Sequence, residues 1–454
     1  MKRQKCMALA MACMMGAGLL AGCSSSSSAA PGSGAASGSQ STGGDAAQTQ
    51  ELNIAVFEGG YGSEYWVEVS KLFEEQHPGV KVNITANPKI GDIIRPNILA
   101  GNPPDFVYLT SVDSTGVTNA MIKDHALADI SDVMAEVEDK LMPGFLENKN
   151  CQPYGDGKTY LAPIYYSTTG LWYNKNYFET NNLEVPVTWD EFFALGDQVK
   201  EIDGRALFTY QGIYPTYLES LINPALAAGV GTEGIEKMAN YEKGAWDNDT
   251  VRAVLGNIAK IGTDGYLMEG TVALDHTQAQ SEWLMGKAVF HPNGSWVEGE
   301  MKDAPREDGF EYGFCSAPVL NEGDDKYVYT QVEEMWIPAA AKNIDLAKEF
   351  LAFQYSDEAI ALNAELAHGV PPVKGAAELL EGQISDAVYA SYSLFDQGYL
   401  PIIGQPFGVV SGTELSPRDE FYNQVGDVMS GKETVDEWIA KTEEVSAQVC
   451  DKLV

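Results

Sequence analysis

Aromatic and polar side chains occur together in loops that follow predicted strands. Trp296 follows a Pro-Asn-Gly-Ser break, and Gln211 lies between two tyrosines on another such loop. Aromatic rings stack on the apolar C–H faces of sugars, whereas amides and carboxylates exchange hydrogen bonds with sugar hydroxyls. The pattern therefore predicts the binding of a polyhydroxylated ligand. The candidate contacts are Glu58, Tyr61, Ser111, Asp113, Tyr210, Gln211, Tyr214 and Trp296.

The sequence carries no recognisable catalytic or metal-binding signature. It has no G-x-S-x-G elbow, no phosphate-binding P-loop and no H-E-x-x-H motif, and its five histidines include no i, i+4 pair. We therefore expect neither an enzyme nor a bound cofactor or metal. Two alternatives stay open. The first is a surface glycoside hydrolase, which would use a pair of carboxylates; with 65 acidic residues in the chain, the presence of such a pair carries little weight. The second is a binder of polyamines, which would also use aromatic and acidic side chains.

The loops that carry these candidates follow a strand–helix–strand pattern. Such an order predicts a mostly parallel α/β sheet with right-handed crossovers. Ligands bind such sheets at the carboxyl ends of the strands, so residues 58–62 and 110–113 are the loops of interest. Thr188 and Glu191 have the spacing of a capping box at a helix start. The predicted strands are 52–57, 80–85, 105–109, 171–173, 206–210 and 287–291, and the predicted helices are 63–73, a helix from 188, 345–365 and 435–449.

The first fifty residues have the pattern of an export leader followed by a tether. Lys2, Arg3 and Lys5 precede an apolar run that is too short for a stable membrane span. The run ends in Leu-Ala-Gly-Cys, which resembles a bacterial lipobox in which Cys23 is diacylated after residues 1–22 are removed. An ordinary cleaved signal is the alternative. Residues 23–50 are rich in Ser, Gly and Ala and predict a disordered linker, so we expect a lipid-anchored protein on the extracellular face of the membrane.

The bulk composition limits both the architecture and the partners. About 400 residues follow the linker, which favours two lobes over one core. The formal charge of the full chain is −36, and loss of the three cationic leader residues makes it −39. A field of this sign repels nucleic acid and anionic lipid, so we expect no nucleic acid partner. Cys151, Cys315 and Cys450 form an odd set without C-x-x-C spacing, so isolated thiols are favoured, with one disulfide left open.

Several stretches, in this order, resemble the extracellular solute-binding proteins of carbohydrate ABC importers, the cluster that includes the maltose-binding protein. They are PDFVYL, APIYYSTTGLWYNKNYFE, PVTWDEF, FTYQGIYPTY, GKAVFHPNGSW, AKEFLAFQYSDEA and GKETVDEWI. The resemblance implies a monomer with two α/β lobes joined by crossing strands, with the ligand held in the cleft between them. Crossings near Tyr165, Asn321 and Lys374 give one lobe of residues 51–165 and 321–373 and a second of residues 166–320 and 374–454.

The resemblance also implies further contacts and partners. The position of Trp296 commonly lines the cleft in the family, and Tyr166 and Ser167 lie where the hinge meets the cleft. Glu333, Phe407 and Arg418 are added as contacts, although relatives often carry an aromatic residue at the position of Arg418. The implied partners are a carbohydrate and the transmembrane subunits of the importer. The FTYQG and GSWVEGEM stretches resemble binding proteins for N-acetylglucosamine or its β-linked disaccharide.

Overall fold

A computed structural model describes residues 49–110, 115–146, 150–403, 406–408, 410 and 412–453. The predicted signal peptide, Cys23 and most of the predicted linker therefore lie outside the described residues, as do Ser111 and Asp113. Within the described part, no helix is both long enough and apolar enough to cross a bilayer.

The described residues form a mixed α/β structure around nine strands. The strands are β1 (Gln50–Phe57), β2 (Val80–Asn87), β3 (Phe106–Thr110), β4 (Leu161–Asn174), β5 (Ala206–Phe208), β6 (Ala288–Gly294), β7 (Tyr312–Cys315), β8 (Tyr327–Trp336) and β9 (Leu400–Ile403). The sheet order is β2-β1-β3-β8-β4-β6-β5, with β7 paired to β4 and β9 paired to β8. The β1–β2, β1–β3, β5–β6 and β8–β9 pairs are parallel, whereas the pairs of β8 with β3 and β4, and of β4 with β6 and β7, are antiparallel.

Helices cover the sheet. They are α1 (Glu64–Gln76), α2 (Ile90–Leu99), α3 (Val117–Lys123), α4 (Ser131–Val137), α5 (Lys175–Asn181), α6 (Trp189–Ile202), α7 (Glu219–Ala239), α8 (Asp249–Thr263), α9 (His276–Leu284), α10 (Val297–Glu300), α11 (Ile344–Phe353), α12 (Asp357–Ala367), α13 (Asp386–Tyr392), α14 (Pro417–Asn423), α15 (Val425–Met429) and α16 (Val435–Val449). Short 3-10 helices lie at Glu138–Lys140, Pro215–Leu218, Thr271–Ala273, Ala376–Leu380, Phe395–Gln397 and Cys450–Lys452.

Several sequence-based predictions of local structure are confirmed. The capping box is present at the start of α6, because the Thr188 side chain accepts the Glu191 amide and the Glu191 side chain accepts the Thr188 amide. The helix predicted at 435–449 is α16 with the same bounds. The helix predicted at 345–365 is instead two helices, α11 and α12, because Ser356 caps a new helix start by accepting the amide of Ala359.

Two strands extend further than predicted. The strand predicted at 171–173 is longer than expected, because β4 runs continuously over 14 residues through Pro163 and the polar residues after it. It tolerates the proline because the ladder with β8 has an irregularity between Pro163 and Tyr165. Similarly, Pro292, Asn293 and Gly294 continue β6, because each of them pairs with a residue of β4.

Two large hydrophobic cores lie along the sheet. The first core contains Trp66, Tyr108 and Phe350, and the second contains Trp189 and Trp438. Strands β4 and β8 supply residues to both cores, so they run from one core to the other. The first core also includes residues between 376 and 392, although the second lobe was expected to begin at 374. The lobe limits remain a prediction.

Candidate functional site

A cavity of about 230 Å³ opens beside Trp296. Its walls come from β4, β6 and β8, from the 3-10 helix Pro215–Leu218 and from the first turns of α7 and α14. The lining contains one acidic and one basic side chain and no other charged group. The lining residues are Thr169, Thr216, Tyr217, Glu219, Ser220, Asn293, Gly294, Trp296, Tyr329, Gln331 and Arg418.

Trp296 supplies an aromatic surface of this cavity. It precedes α10, and its side chain is half-buried, unlike the tryptophans of the two cores. The indole lies against the backbone of Gly294, since a Cβ built on that glycine would be 2.2 Å from two ring atoms. Only glycine lets the ring approach the strand this closely. The β6–α10 turn therefore fixes the ring in the cavity wall.

Asn293 is a buried amide in the same wall. Its side-chain Oδ1 accepts the amide of Gly294 at 2.8 Å, and its backbone carbonyl accepts the indole N–H of Trp172 at 3.1 Å. Its side-chain Nδ2 is buried and has no hydrogen-bond partner among the described residues. An unpaired buried donor is costly, so this nitrogen is suited to an oxygen that a ligand brings.

Glu219 and Arg418 form an ion pair in the wall, in which Arg418 Nε donates to the carboxylate. The hydroxyl of Tyr329 donates to the same carboxylate at 3.2 Å. Burial alone lowers the pKa of Arg418, but the bond to Glu219 outweighs it, so the pKa of the guanidinium lies above its ordinary value. The two charges offset each other, and the lining carries no net charge.

A cluster of tyrosines lies where the first core meets the β6–α10 turn that carries Trp296. Tyr61 stacks on Tyr165 with ring centroids 4.0 Å apart. Burial raises the pKa of Tyr61, and the neighbouring Tyr392 and Glu333 raise it further. The hydroxyl of Tyr392 interacts with Tyr61 and with Ser295, the residue before Trp296. The cluster therefore connects the loop after β1 with the Trp296 turn.

The structure distributes the predicted contacts unevenly. Trp296 and Arg418 line the cavity, and Ser167 pairs in the sheet with the lining residue Gln331. Glu333 accepts a hydrogen bond from the Tyr108 hydroxyl. The cavity lining does not include Glu58, Tyr61, Tyr166, Ser167, Tyr210, Gln211, Tyr214, Glu333 or Phe407, and Ser111 and Asp113 lie outside the described residues.

Three predicted aromatic contacts are core residues. Tyr166 packs edge-to-face against Phe145 in the first core. Tyr210 is 1% exposed in the second core, and Phe407 stacks on Trp246 with centroids 5.1 Å apart. Each ring is largely covered by protein in this structure, and a role for these three residues as ligand contacts stays a prediction.

The other predicted residues are not part of the cavity lining. Gln211 is fully buried, and its Nε2 contacts His291 at 3.1 Å. Burial lowers the pKa of that histidine to about 3. Tyr214 is 51% exposed, and Glu58 is exposed and accepts the Ser63 hydroxyl.

Sequence reasoning missed most of the polar lining. Asn293 stood in the quoted PNGSW stretch but was assigned to a loop, and Thr216 and Tyr217 follow directly after the quoted Tyr214 and Pro215. Glu219 lies at the start of α7, where no local pattern separates it from a surface acid. Its signal is its burial against Tyr329, which is 110 residues away in sequence.

The described residues also contain a second cavity and an isolated buried thiol. A second cavity of about 280 Å³ lies over β1, β2 and α2 and is lined by Asn53, Asn83 and Asp105, among others. No group of three or more histidine, cysteine or acidic side chains in the described part is placed to hold a metal ion. Cys315 is a buried thiol, and burial raises its pKa.

The comparison with family models decides the family. The model described as "Bacterial extracellular solute-binding protein" matches residues 68–394, which is well over half of the chain. The chain belongs to this family. The two cores and the strands that run between them are the fold expected of a solute-binding protein with two lobes and a hinge.

Individual relatives of this solute-binding protein are distant. It is 26% identical over 360 residues to the diacetylchitobiose binding protein NgcE of Streptomyces coelicolor, covering 78% of this chain and 74% of the relative. It is 24% identical to the multiple sugar-binding protein of Streptococcus mutans, covering 68% and 72%. Its fold is similar to that of apo RafE from Streptococcus pneumoniae, with a TM-score of 0.69 at 19% identity, covering 88% of this chain and 99% of that structure.

Proposed function

We propose that this solute-binding protein captures a neutral sugar or oligosaccharide in the cavity beside Trp296 and delivers it to an ABC importer. The observation that carries the proposal is a half-buried indole in a wall of polar and aromatic side chains, in which the one acidic and the one basic residue form an ion pair. Such a wall suits a ligand with apolar faces and neutral hydroxyls. The names of the relatives from S. coelicolor and S. mutans support a carbohydrate as the ligand class.

Cleft closure is the proposed mechanism of capture. The first core and the second core form the two lobes, and β4 and β8 are the crossing strands of the hinge. The cavity walls belong mostly to elements of the second core, so the predicted contacts Tyr61, Ser111, Asp113 and Glu333 are the proposed contacts from the other lobe. Closure presents the importer with a shape that signals occupancy.

The proposed ligand is a short β-linked oligosaccharide of N-acetylglucosamine, such as diacetylchitobiose. This choice is supported by the name of the relative at 26% identity. The protein is proposed to bind this ligand as a monomer without chemical turnover, and without a metal, nucleotide or cofactor.

A thermal-shift screen of purified protein tests the ligand class. Neutral mono- and disaccharides should raise the melting temperature, because a ligand at 100 times Kd stabilises the folded state by about 2.7 kcal/mol. Analysis of the same samples by chromatography detects turnover. Stabilisation by polyamines alone would replace the proposal with a cation-binding function, and release of cleaved sugar would replace it with a hydrolase.

The proposed location is the extracellular face of the membrane, with the body anchored through diacylated Cys23. The family description and the leader sequence support this proposal. Labelling with radioactive palmitate should mark the wild type and leave Cys23→Ser unlabelled. Label on the Cys23→Ser protein would contradict the lipobox hypothesis, whereas an unlabelled wild type would favour an ordinary signal peptide.

A further inference from the structure

The wall beside Trp296 has uneven hydrogen-bond demands. The hydroxyls of Thr169, Ser220 and Tyr329 all donate to protein oxygens at 2.8 to 3.2 Å. The buried Nδ2 of Asn293 has no acceptor among the described residues, and no other buried side-chain nitrogen or oxygen of the described lining lacks a partner. A ligand that places a hydrogen-bond acceptor next to Asn293 Nδ2 would therefore satisfy the unpaired donor of the buried lining.

The orientation of the Asn293 amide is fixed by its neighbours. The Gly294 amide can only donate, so the side-chain oxygen must face it and the nitrogen must take the other position. The Trp172 indole holds the backbone carbonyl of Asn293, and Gly170 of β4 pairs with it in the sheet. A donor held in this way binds without a further cost of ordering the side chain.

We propose that Asn293 Nδ2 is the specificity-determining donor of this cavity and that it binds the carbonyl oxygen of an acetamido substituent on the sugar. This inference rests on the proposed carbohydrate-binding function. A carbonyl oxygen is only an acceptor, so it satisfies Nδ2 without needing a further partner. A hydroxyl at the same place is also a donor, so it would need an additional acceptor for its own proton.

The charges of the wall favour a neutral acceptor over a carboxylate. Arg418 is held by Glu219, so the guanidinium charge is already offset within the lining. The formal charge of the chain, −36, also disfavours an anionic sugar. An amide carbonyl combines full acceptor capacity with no charge, and its methyl group supplies apolar area for the neighbouring Trp296.

A pair of disaccharides isolates the proposed contact. Diacetylchitobiose and cellobiose share the β-1,4-linked glucose skeleton and differ in carrying acetamido or hydroxyl groups at the C2 positions. Calorimetry on the wild type should show tighter binding of diacetylchitobiose. In Asn293→Asp the nitrogen becomes an oxygen of the same shape, which repels a carbonyl but accepts the proton of a hydroxyl. We expect diacetylchitobiose affinity to fall about tenfold or more, with cellobiose affinity held within about threefold.

Two further variants separate this role from a structural one. Asn293→Ala removes the donor without adding charge, and it should also weaken diacetylchitobiose more than cellobiose. Asn97→Asp makes the same chemical change at an exposed position of α2 and should alter neither affinity. Circular dichroism confirms that each variant is folded before titration.

The outcomes distinguish this inference from the proposed function. A wild type that binds cellobiose as tightly as diacetylchitobiose, or Asn293 variants that lose both sugars equally, would overturn the role of Asn293 and leave the sugar-binding function intact. A wild type that binds no saccharide at all would overturn both. A selective loss of diacetylchitobiose would support both.

Discussion

At the scale of single residues, the cavity depends on two neighbours in β6 with different tasks. Gly294 has no side chain and lets the Trp296 ring lie against the strand, while its amide orients Asn293. A larger residue at 294 would displace the Trp296 ring and would also disturb the hydrogen bond from the residue-294 backbone N–H to Asn293 Oδ1. The aromatic surface and the unpaired donor of this wall are therefore set by one glycine.

Trp296→Ala should weaken sugar binding by about 1.5 to 3 kcal/mol, because it removes an aromatic contact of the cavity. The ring is half-buried, so the free energy of unfolding without ligand should change little. Calorimetry and thermal melting measure the two effects separately.

Trp246→Ala is the matched control, since Trp246 is 1% exposed and stacks on Phe407 in the second core. It should cost about 3 to 5 kcal/mol of stability and spare the affinity of the folded fraction. If Trp296→Ala instead melts early and binds normally, Trp296 is a core residue.

Residue type alone predicted only part of the cavity. Trp296 and Arg418 were identified from the sequence, whereas Tyr166, Tyr210 and Phe407 were assigned to the cleft and are core residues. Tyrosine and phenylalanine serve equally well in a core and against a sugar, so their identity cannot separate the two roles. What separates them is packing from distant segments, which a local pattern does not contain.

At the scale of elements, helices were easier to predict than strands. The capping boxes of α6 and α16 are local signals that act within four residues, and the sequence shows them directly. Strand β4 is continuous in spite of Pro163 and Gly170, because β8, β6 and β7 pair with it. Those partners lie more than 100 residues away in the chain. A local sequence pattern therefore shows Pro163 and Gly170, which favour a break, but not the pairing that keeps the strand continuous.

Strand β8 carries a carboxyl that should make stability depend on pH. Burial, and next the adjacent Glu333, raise the pKa of Glu334 to about 8, from an ordinary value of 4.5. In the unfolded chain the Glu334 carboxyl loses its proton near pH 4.5, whereas in the folded chain it keeps the proton up to about pH 8. The free energy of unfolding therefore falls as pH rises from about 4.5 to 8. Glu334→Gln removes the titrating carboxyl and with it this loss of stability. The variant should gain stability over the wild type by up to about 1.4 kcal/mol per pH unit in that window.

Urea unfolding at several pH values measures this difference. Glu322→Gln, which changes an exposed loop carboxyl, should run parallel to the wild type across the same pH range. A Glu334→Gln variant whose stability relative to the wild type does not change with pH would show that the carboxyl is ionised in the folded protein.

At the scale of the whole molecule, the two cores share one sheet and are joined through β4 and β8. The family-like stretches of the sequence predicted a two-lobed fold because they run in order along nearly the whole body. The lobe limits were harder to predict, since residues 376–392 follow an expected crossing yet pack with the first core. Where a chain crosses between lobes depends on three-dimensional packing, so the sequence indicated that crossings exist more clearly than where they fall.

Sugar binding should bring the two lobes closer together. A ligand that contacts both lobes binds the closed form better than the open form, so it must shift the population towards closure. Small-angle scattering should show a smaller radius of gyration with diacetylchitobiose. Labels at Glu75→Cys and Asp264→Cys, exposed positions beside the first and second cores, should approach each other in a Cys450→Ser background, which removes the exposed thiol found among the described residues.

A label pair within the second lobe provides the control for closure. Asp264→Cys directly follows α8 and Lys441→Cys lies on α16. Both positions are exposed and both helices pack in the second core, so the separation of the labels should not change when sugar binds. A change in the inter-lobe pair alone would indicate rigid lobes that move about β4 and β8. If sugar binds tightly while both separations stay constant, the hinge mechanism is wrong. The protein would then bind sugar as a rigid receptor, because a ligand with equal affinity for the open and closed forms does not change the equilibrium between them.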